Sequence, residues 1–309
     1  MTEYLPEGKR ITTPSNAGYL SSPQGVREAM ERGVILEARA TICDNEHNLT
    51  VDLGCMKGFI PREEGAVGIR EGTVRDIAVI SRVGRAVSFL VDDIVTDVSG
   101  RELAILSRRR AQQRCISEYV NTLCAGDIIP ARVTHLEPFG AFCDIGCGVV
   151  ALMPIDTISI SRIEHPDERF TPGMDIRAVI KSRVGTRITL SHKELLGTWE
   201  ENVRAFEVGE TVAGVVRSVE NYGAFVELMP NLAGLAELRD DLRVGMSASV
   251  YIKSIIPSRM KIKLIVIDVF PDQPAVTKPR YFLTKGHIDR FVYSPAGCDK
   301  HIETDFFAQ

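Results

Sequence analysis

Flat rings and positive charges recur at fixed spacing in the second half of the chain. Phe139 and Phe142 stand three residues apart in PFGAF, and Tyr222 and Phe225 repeat that spacing in NYGAF, 83 residues further on. Downstream of each pair runs a stretch with cations and no acid. Between Arg177 and Lys193 it carries Arg177, Lys181, Arg183, Arg187 and Lys193; between Tyr251 and Lys263 it carries Lys253, Arg259, Lys261 and Lys263. Aromatic faces stack on planar groups of any identity, and cations neutralise phosphates. A charge run is ordinarily just a solvated face, but these two lie beside an aromatic pair in both copies. On a regular strand, rings three residues apart face opposite sides. Both reach one surface only if Gly140 and Gly223 distort the strand; otherwise one ring of each pair belongs to the core.

The elements that carry these residues are themselves repeated. GDIIPARVTHLEPFGAFCDIG, from Gly126, aligns with GETVAGVVRSVENYGAFVELM, from Gly209. Further on, PGMDIRAVIKSR from Pro172 aligns with VGMSASVYIKSI from Val244 at a spacing of 72, so the second copy lacks 11 residues of the intervening loop. A weaker copy lies upstream, where VGRAVSFLVDDI (Val83 to Ile94) matches the same ending and VDLGCMKGFIP (Val51 to Pro61) matches CDIGCGVVALMP. Such periods mean tandem small domains. Within a copy, Val212, Val215, Val216 and Val219 read as a strand, Glu220 and Asn221 as a turn, and Tyr222, Phe225 and Val226 as the next strand. Five strands in about 70 residues is the plan of a small OB-type barrel.

The expected fold is therefore mainly β, with three tandem five-stranded OB-fold barrels joined by short helices. Its divisions are a tail with a short helix (1–32), a divergent first module (33–106), a linker helix (107–125), a second module (126–193), a linker helix (194–207), a third module (208–268) and a C-terminal extension (269–309). Pro23 opens the tail helix. Ser107 caps one linker, whose stripe is Ile116, Tyr119, Val120 and Leu123. Ser191 with Glu194 forms a capping box for the other, striped by Leu195, Trp199, Val203 and Phe206. On such a stripe Trp199 reads as packing rather than as a stacking ring. The apolar run IAVIS in the Arg62–Arg82 connection suggests an additional strand, and Arg108, Arg109, Arg110 and Arg114 read as exposed arginines opposing a helix dipole.

The pieces GDIIPARV and GETVAGVV, FGAF and YGAFVEL, GLAEL, and RITLSHK together resemble the S1 RNA-binding motif, and the string of three resembles the ribosomal protein S1 family in a short form, over roughly residues 33 to 268. The resemblance implies single-stranded RNA binding on one barrel face and a role in bringing mRNA to the small ribosomal subunit. It also implies that both aromatic positions of each pair contact RNA, and that Arg187 and Lys261 stand where the family places an RNA-contacting arginine. The RNA-binding set is then Phe139, Phe142, Lys181, Arg183, Arg187, Lys193, Tyr222, Phe225, Lys253, Arg259, Lys261 and Lys263. The chain departs from the pattern at the third strand, where many S1 motifs carry a histidine and these modules have Pro61, Pro154 and Glu237. The first module departs further: His47 and Thr50 replace the aromatic pair, and Asp92, Asp93 and Asp97 occupy its hairpin. The family resemblance gives such N-terminal modules a docking role on a protein of the small subunit.

A net charge of −4 over 309 residues argues against binding driven by phosphate neutralisation alone. Stacking, single strands over duplexes, weak sequence preference and a shallow salt dependence are expected instead. A stand-alone RNA-binding regulator of decay or transcription, not bound to ribosomes, is the rival reading; a protein-interaction scaffold is a further one. Enzymatic motifs do not recommend themselves. GCGVVA, Gly146 to Ala151, fits a dinucleotide fingerprint, yet LMPI follows where a helix is required. His47, His135, His165, His192, His287 and His301 form no metal-hydrolase motif, and His135 and His192 read as polar residues at strand ends. Cys43, Cys55, Cys115, Cys124, Cys143, Cys147 and Cys298 include no C-x-x-C pair and read as reduced, partly buried thiols; no metal or cofactor is implied. No run of 18 apolar residues and no apolar leader occur, which points to a cytoplasmic protein with no membrane partner.

Overall fold

Alternation of side chains builds the strands. In Lys261–Phe270, Ile262, Leu264 and Val266 are buried while Lys261, Lys263, Ile265 and Ile267 are exposed, the period of two that a strand with one face in a core requires. The computed structural model describes residues 4–96, 100–185, 187–271, 276 and 278–307. Three closed five-stranded barrels result. The first comprises β1 (Leu36–Cys43), β2 (Leu49–Asp52), β3 (Lys57–Ile60), β4 (Ala86–Thr96) and β5 (Glu102–Ser107). The second comprises β6 (Ile128–Glu137), β7 (Gly140–Asp144), β8 (Val150–Pro154), β9 (Asp175–Val184) and β10 (Arg187–Ser191). The third comprises β11 (Thr211–Glu220), β12 (Gly223–Met229), β13 (Leu232–Ala236), β14 (Ser247–Ile256) and β15 (Lys261–Phe270). In each, the third and fifth strands pair in parallel, which closes a meander into an OB-type barrel.

The chain divides into two compact units. Unit 1 holds the residues up to Leu123 with the turn Asp144–Val150. Helices α1 (Pro14–Leu20) and α2 (Pro23–Glu31) precede its barrel, α2 starting at Pro23 under a Ser22 cap. The run IAVIS forms a helical turn, α3 (Ile77–Ile80), not an additional strand. Four apolar residues carry no periodicity that separates the two states, and burying Val79 alone satisfies the site. Helix α4 (Arg108–Glu118) begins where Ser107 accepts the Arg110 N–H at 2.9 Å.

Of the four arginines of α4, Arg110 is exposed as expected, but Arg108 is buried and Arg109 and Arg114 are half-buried. Arg108 is buried and holds the carboxylate of Glu7 through two bonds of 2.7 and 3.0 Å; Arg109 binds Glu64, Arg110 binds Asp92, and Arg114 binds Glu118. For Arg108, Arg109 and Arg110 the neutralising acids come from elsewhere in the unit, whereas Arg114 pairs within its own helix at i,i+4. Burial works against ionisation of Glu7, yet Arg108 holds it below the usual carboxylate range. The Glu7 N–H also donates to Asp144 at 2.7 Å. Buried Glu37 ties down the segment before α1, accepting the N–H groups of Gly8, Arg10 and Ile11 at 2.9 to 3.0 Å.

Unit 2 contains barrels two and three. The loop that gives module two its extra length reaches barrel three: the Ser161 N–H donates to the Pro230 carbonyl at 3.1 Å and the Ile160 N–H to Asn231 Oδ1 at 3.0 Å. Fully buried Asn231 returns two bonds, to the carbonyls of Lys193 (2.8 Å) and Gly197 (2.9 Å). Arg217 bridges Glu168 of that loop to Glu227 of β12, and Arg169 joins Glu227 as well.

The linker between these barrels is not one helix. A 3-10 turn, Lys193–Leu196, ends at Gly197, whose φ of +85° breaks the helical path. A short helix α5 (Trp199–Val203) then starts with its own capping box, Thr198 with Glu201. The Ser191 hydroxyl donates to the Glu194 carboxylate at 2.5 Å instead of receiving a helix N–H. Trp199, 2% exposed, packs in the core with Val179, Leu195 and Tyr293. The C-terminal extension folds back on the unit. Its hairpin, β16 (Arg290–Val292) with β17 (Glu303–Asp305), buries Phe291, Tyr293 and Phe306 in that core, and Tyr281 Oη accepts the Arg177 N–H at 3.0 Å.

Candidate nucleic-acid interface

The aromatic pairs straddle a turn and a strand. In barrel three Glu220 pairs with Gly223, leaving Asn221 and Tyr222 as a two-residue hairpin turn; in barrel two Pro138 and Phe139 occupy the same place between β6 and β7. The first ring of each pair therefore lies outside the strand, and the period-two rule that would set it opposite the second does not apply. Phe139 is 56% and Tyr222 65% exposed, while Phe142 and Phe225 are half-buried on the strand. Phe139 and Phe142 meet edge to face with centroids 6.0 Å apart, and Tyr222 and Phe225 do so at 6.3 Å. No ring of the four is in the core, and each pair presents two surfaces at right angles.

The glycine between the rings permits this by close approach. A Cβ on Gly140 would stand 2.4 Å from the Met153 carbonyl oxygen, and one on Gly223 would stand 2.5 Å from that of Ala236. The second strand is thus drawn against the third just where the turn ends; Gly223 also has a φ of +149°. In barrel two the Ile155 N–H donates to the Phe139 carbonyl at 3.0 Å, fixing the turn that carries the outer ring.

The surface holds one ring that the sequence reading left out. His135 on β6 stacks on Phe142, with centroids 6.3 Å apart and planes 25° apart, and its Nε2 lies 2.6 Å from Glu137. The corresponding residue of barrel three is Ser218, paired with Phe225. Outward alternation along β6 with Phe142's partner strand was the available signal.

Cations extend the same surface. In barrel three a row crosses all five strands in register: Ser218, Phe225, Leu235, Lys263 and then Ser254. Lys263 sits two strands from Phe225, about 10 Å at ordinary strand spacing. Lys261 opens β15 opposite Ile256, and Arg259 occupies the turn before it; both are exposed. Lys253 falls in the register shift between Ile252 and Ser254, a bulge that turns its side chain outward. Barrel two repeats the device: the shift opposite Thr189 and Leu190 places Lys181 in a bulge of β9, with exposed Arg183 and Arg187 at the hairpin end. Lys193 stands apart, half-buried in the 3-10 turn, with Nζ 3.4 Å from the Asp156 carbonyl.

Barrel one carries the bulge without the cation. Its shift between Val91 and Asp93 leaves Asp92 at the place of Lys181 and Lys253, paired with Arg110; burial raises the Asp92 pKa. His47 adopts a φ of +66° with Nδ1 3.4 Å from Asp76, and Thr50 lies in β2. Asp97 lies outside the described residues. Gly146–Ala151 runs from a turn into β8, which removes the helix start that a dinucleotide site needs. Among the described residues no group of three or more His, Cys, Asp or Glu could hold a metal ion.

Two of the three OB barrels carry this aromatic and cationic surface, and a family model described as S1 RNA binding domain matches residues 123–193, which span the first of those two. The chain is similar to small ribosomal subunit protein bS1 of Staphylococcus aureus (strain COL), with 28% identity over 88% of this chain and 70% of that protein. The protein of the same name from Staphylococcus haemolyticus is 27% identical over the same shares. A solved multidomain protein with nucleic acid binding domains from Streptococcus pneumoniae aligns over 76% of this chain and 73% of its own, at 15% identity and a TM-score of 0.25, too low to bear on the arrangement of the barrels.

Proposed function

We propose that barrels two and three bind single-stranded RNA, and that the protein serves as an S1-like, non-enzymatic factor bringing mRNA to the small ribosomal subunit. The observation that carries this reading is the pair of edge-to-face aromatic platforms, repeated in two barrels and flanked by bulge-borne lysines. Bases stack on Phe139, Phe142, Tyr222 and Phe225, each stack contributing about 1–3 kcal/mol; His135 extends the first platform. Lys181, Arg183, Arg187, Lys253, Arg259, Lys261 and Lys263 hold phosphates, with Lys193 at the margin. The similarity to bS1 supports the ribosomal half of the reading. Stacking reads no base edge, so weak sequence preference and a preference for single strands follow.

Barrel one has a different role in this reading. With Asp92 where the other barrels place lysine, and no aromatic pair, it is suited to a protein of the small subunit rather than to RNA. Ile42, an isoleucine 56% exposed on β1, is a natural anchor for such a contact.

The test is binding of a fluorescent single-stranded RNA by the native chain and by a variant with Phe139, Phe142, Tyr222 and Phe225 all changed to Ala. The native chain binds and the folded variant loses at least 100-fold, about 3 kcal/mol, the lower end of what two to four lost stacks remove. Equal affinity of the two would overturn the stacking surface. For the ribosomal role, Ile42→Ser weakens co-sedimentation with small subunits and leaves RNA affinity within about twofold; loss of both together would refute the division between barrels.

A further inference from the structure

We propose that the C-terminal arm, residues 278–288, is a second contact for the RNA backbone, holding phosphates through Lys278, Arg280 and Lys285 on the flank of barrel two. This deepens the RNA reading above and rests on it. From Val276 to Ile288 the sequence contains three cations and no acid, in a protein with a net charge of −4. All three are exposed, and no ion pair engages them among the described residues. The two acids beside the arm, Asp127 just before β6 and Asp289 just past the arm's end, are drawn to His287 instead, at 2.7 and 3.2 Å.

The arm is held in place by its apolar residues. Tyr281 Oη accepts the Arg177 N–H on β9 and lies 3.1 Å from His192 Nε2, and the Phe282 N–H donates to the Leu195 carbonyl at 2.9 Å. The Phe282 ring fills the space over Gly197 that a Cβ would occupy. Arg280 lies over that same ring at 5.8 Å, which fixes the guanidinium at low entropy cost. Further on, the Ile128 N–H donates to the Gly286 carbonyl and the Ile288 N–H to the Gly126 carbonyl, while the Gly126 N–H donates to the Ile180 carbonyl. The arm thus adds an outer layer beside β6 and β9, and Ile180 at its inner edge is the residue before Lys181. From Thr134, whose hydroxyl bonds the Phe142 carbonyl at 3.0 Å, back to Ile128 is six residues of β6, roughly 20 Å of strand. A single strand stacked at Phe139 and Phe142 reaches the arm within one OB-sized site of about 4–16 nucleotides.

The experiment compares the full native chain with Lys278→Gln/Arg280→Gln/Lys285→Gln, using a fluorescent oligouridylate of about 20 nucleotides across a salt series. Three lost phosphate contacts make the slope of log affinity against log salt shallower by about 2, at −0.7 per contact for single strands, and lower the affinity at the lowest salt about tenfold. The aromatic variant gives the opposite pattern, weaker binding with the slope retained. If the native chain binds and the triple variant keeps its slope and affinity, the arm is overturned and the barrels' role stands. No binding by the native chain overturns both. Unchanged circular dichroism and melting of the triple variant confirm that the exposed substitutions act on binding.

Discussion

Gly223 shows how much a single residue decides at the candidate interface. Its missing Cβ lets β12 lie against the Ala236 carbonyl, and its φ of +149° turns the chain from Tyr222 into the strand. Gly223→Ala is expected to cost barrel three about 1–3 kcal/mol, read as a lower urea midpoint, and to weaken RNA binding by spoiling the Tyr222–Phe225 pair. Trp199 belongs to the opposite case, a large ring that carries packing alone. Trp199→Ala should cost about 3–5 kcal/mol of unit 2 stability; in the fraction that remains folded, RNA affinity should match the native chain. A selective loss of RNA affinity without destabilisation would mean that this buried ring has been misjudged.

At the scale of elements, the extra loop of module two is the informative one. An insertion of 11 residues is cheap in chain entropy, and here it joins two barrels through Asn231. Asn231→Leu fills the volume but leaves the Ile160 N–H and the carbonyls of Lys193 and Gly197 without their partner. Each unsatisfied buried group costs about 1–3 kcal/mol. The expected outcome is separate melting of barrels two and three in calorimetry, where the native unit 2 gives one transition. The bulges matter in the same way: one inserted residue in β9 and in β14 sends a lysine outward, and in β4 it sends out an aspartate.

Across the whole molecule, the two units are expected to respond to pH in opposite directions. In unit 1, burial and the neighbouring Glu7 carboxylate push Asp144 up to about 7, and burial raises Glu37 as well. An acid whose folded pKa lies above its unfolded value near 4 stabilises the fold fully at low pH and loses that contribution as pH rises through about 7. In unit 2, burial lowers His192 from 6.5 to about 4. A base held neutral stabilises the fold above 6.5, and that contribution falls away as pH drops from there towards 4. Calorimetry at pH 5 and pH 8 should therefore show unit 1 melting lower at the alkaline value, and unit 2 higher there because buried His192 outweighs the opposite contribution of exposed His287, whose pKa is raised by Asp127. Asp144→Asn should flatten the unit 1 trend between pH 5 and 8; an unchanged trend would remove Asp144 as its source.

Repeats, turn signals and alternation in the sequence were enough to give three five-stranded barrels, because strand period and hairpin chemistry are local properties. They also brought out both aromatic pairs and the cation runs. What local pattern did not contain was the pairing of charges far apart in sequence. Arg108 lies 101 residues from Glu7, and their bond converts an apparently exposed cation into the buried centre of unit 1. IAVIS became α3 and the second linker broke at Gly197 because tertiary packing overrides weak local preference in short segments. His135 joined the interface through a cross-strand neighbour, and the arm of residues 278–288 gained its place from hydrogen bonds to β6, β9 and the linker. Sequence fixes which residues alternate and where turns fall; only the closed barrels decide which distant side chains share a surface.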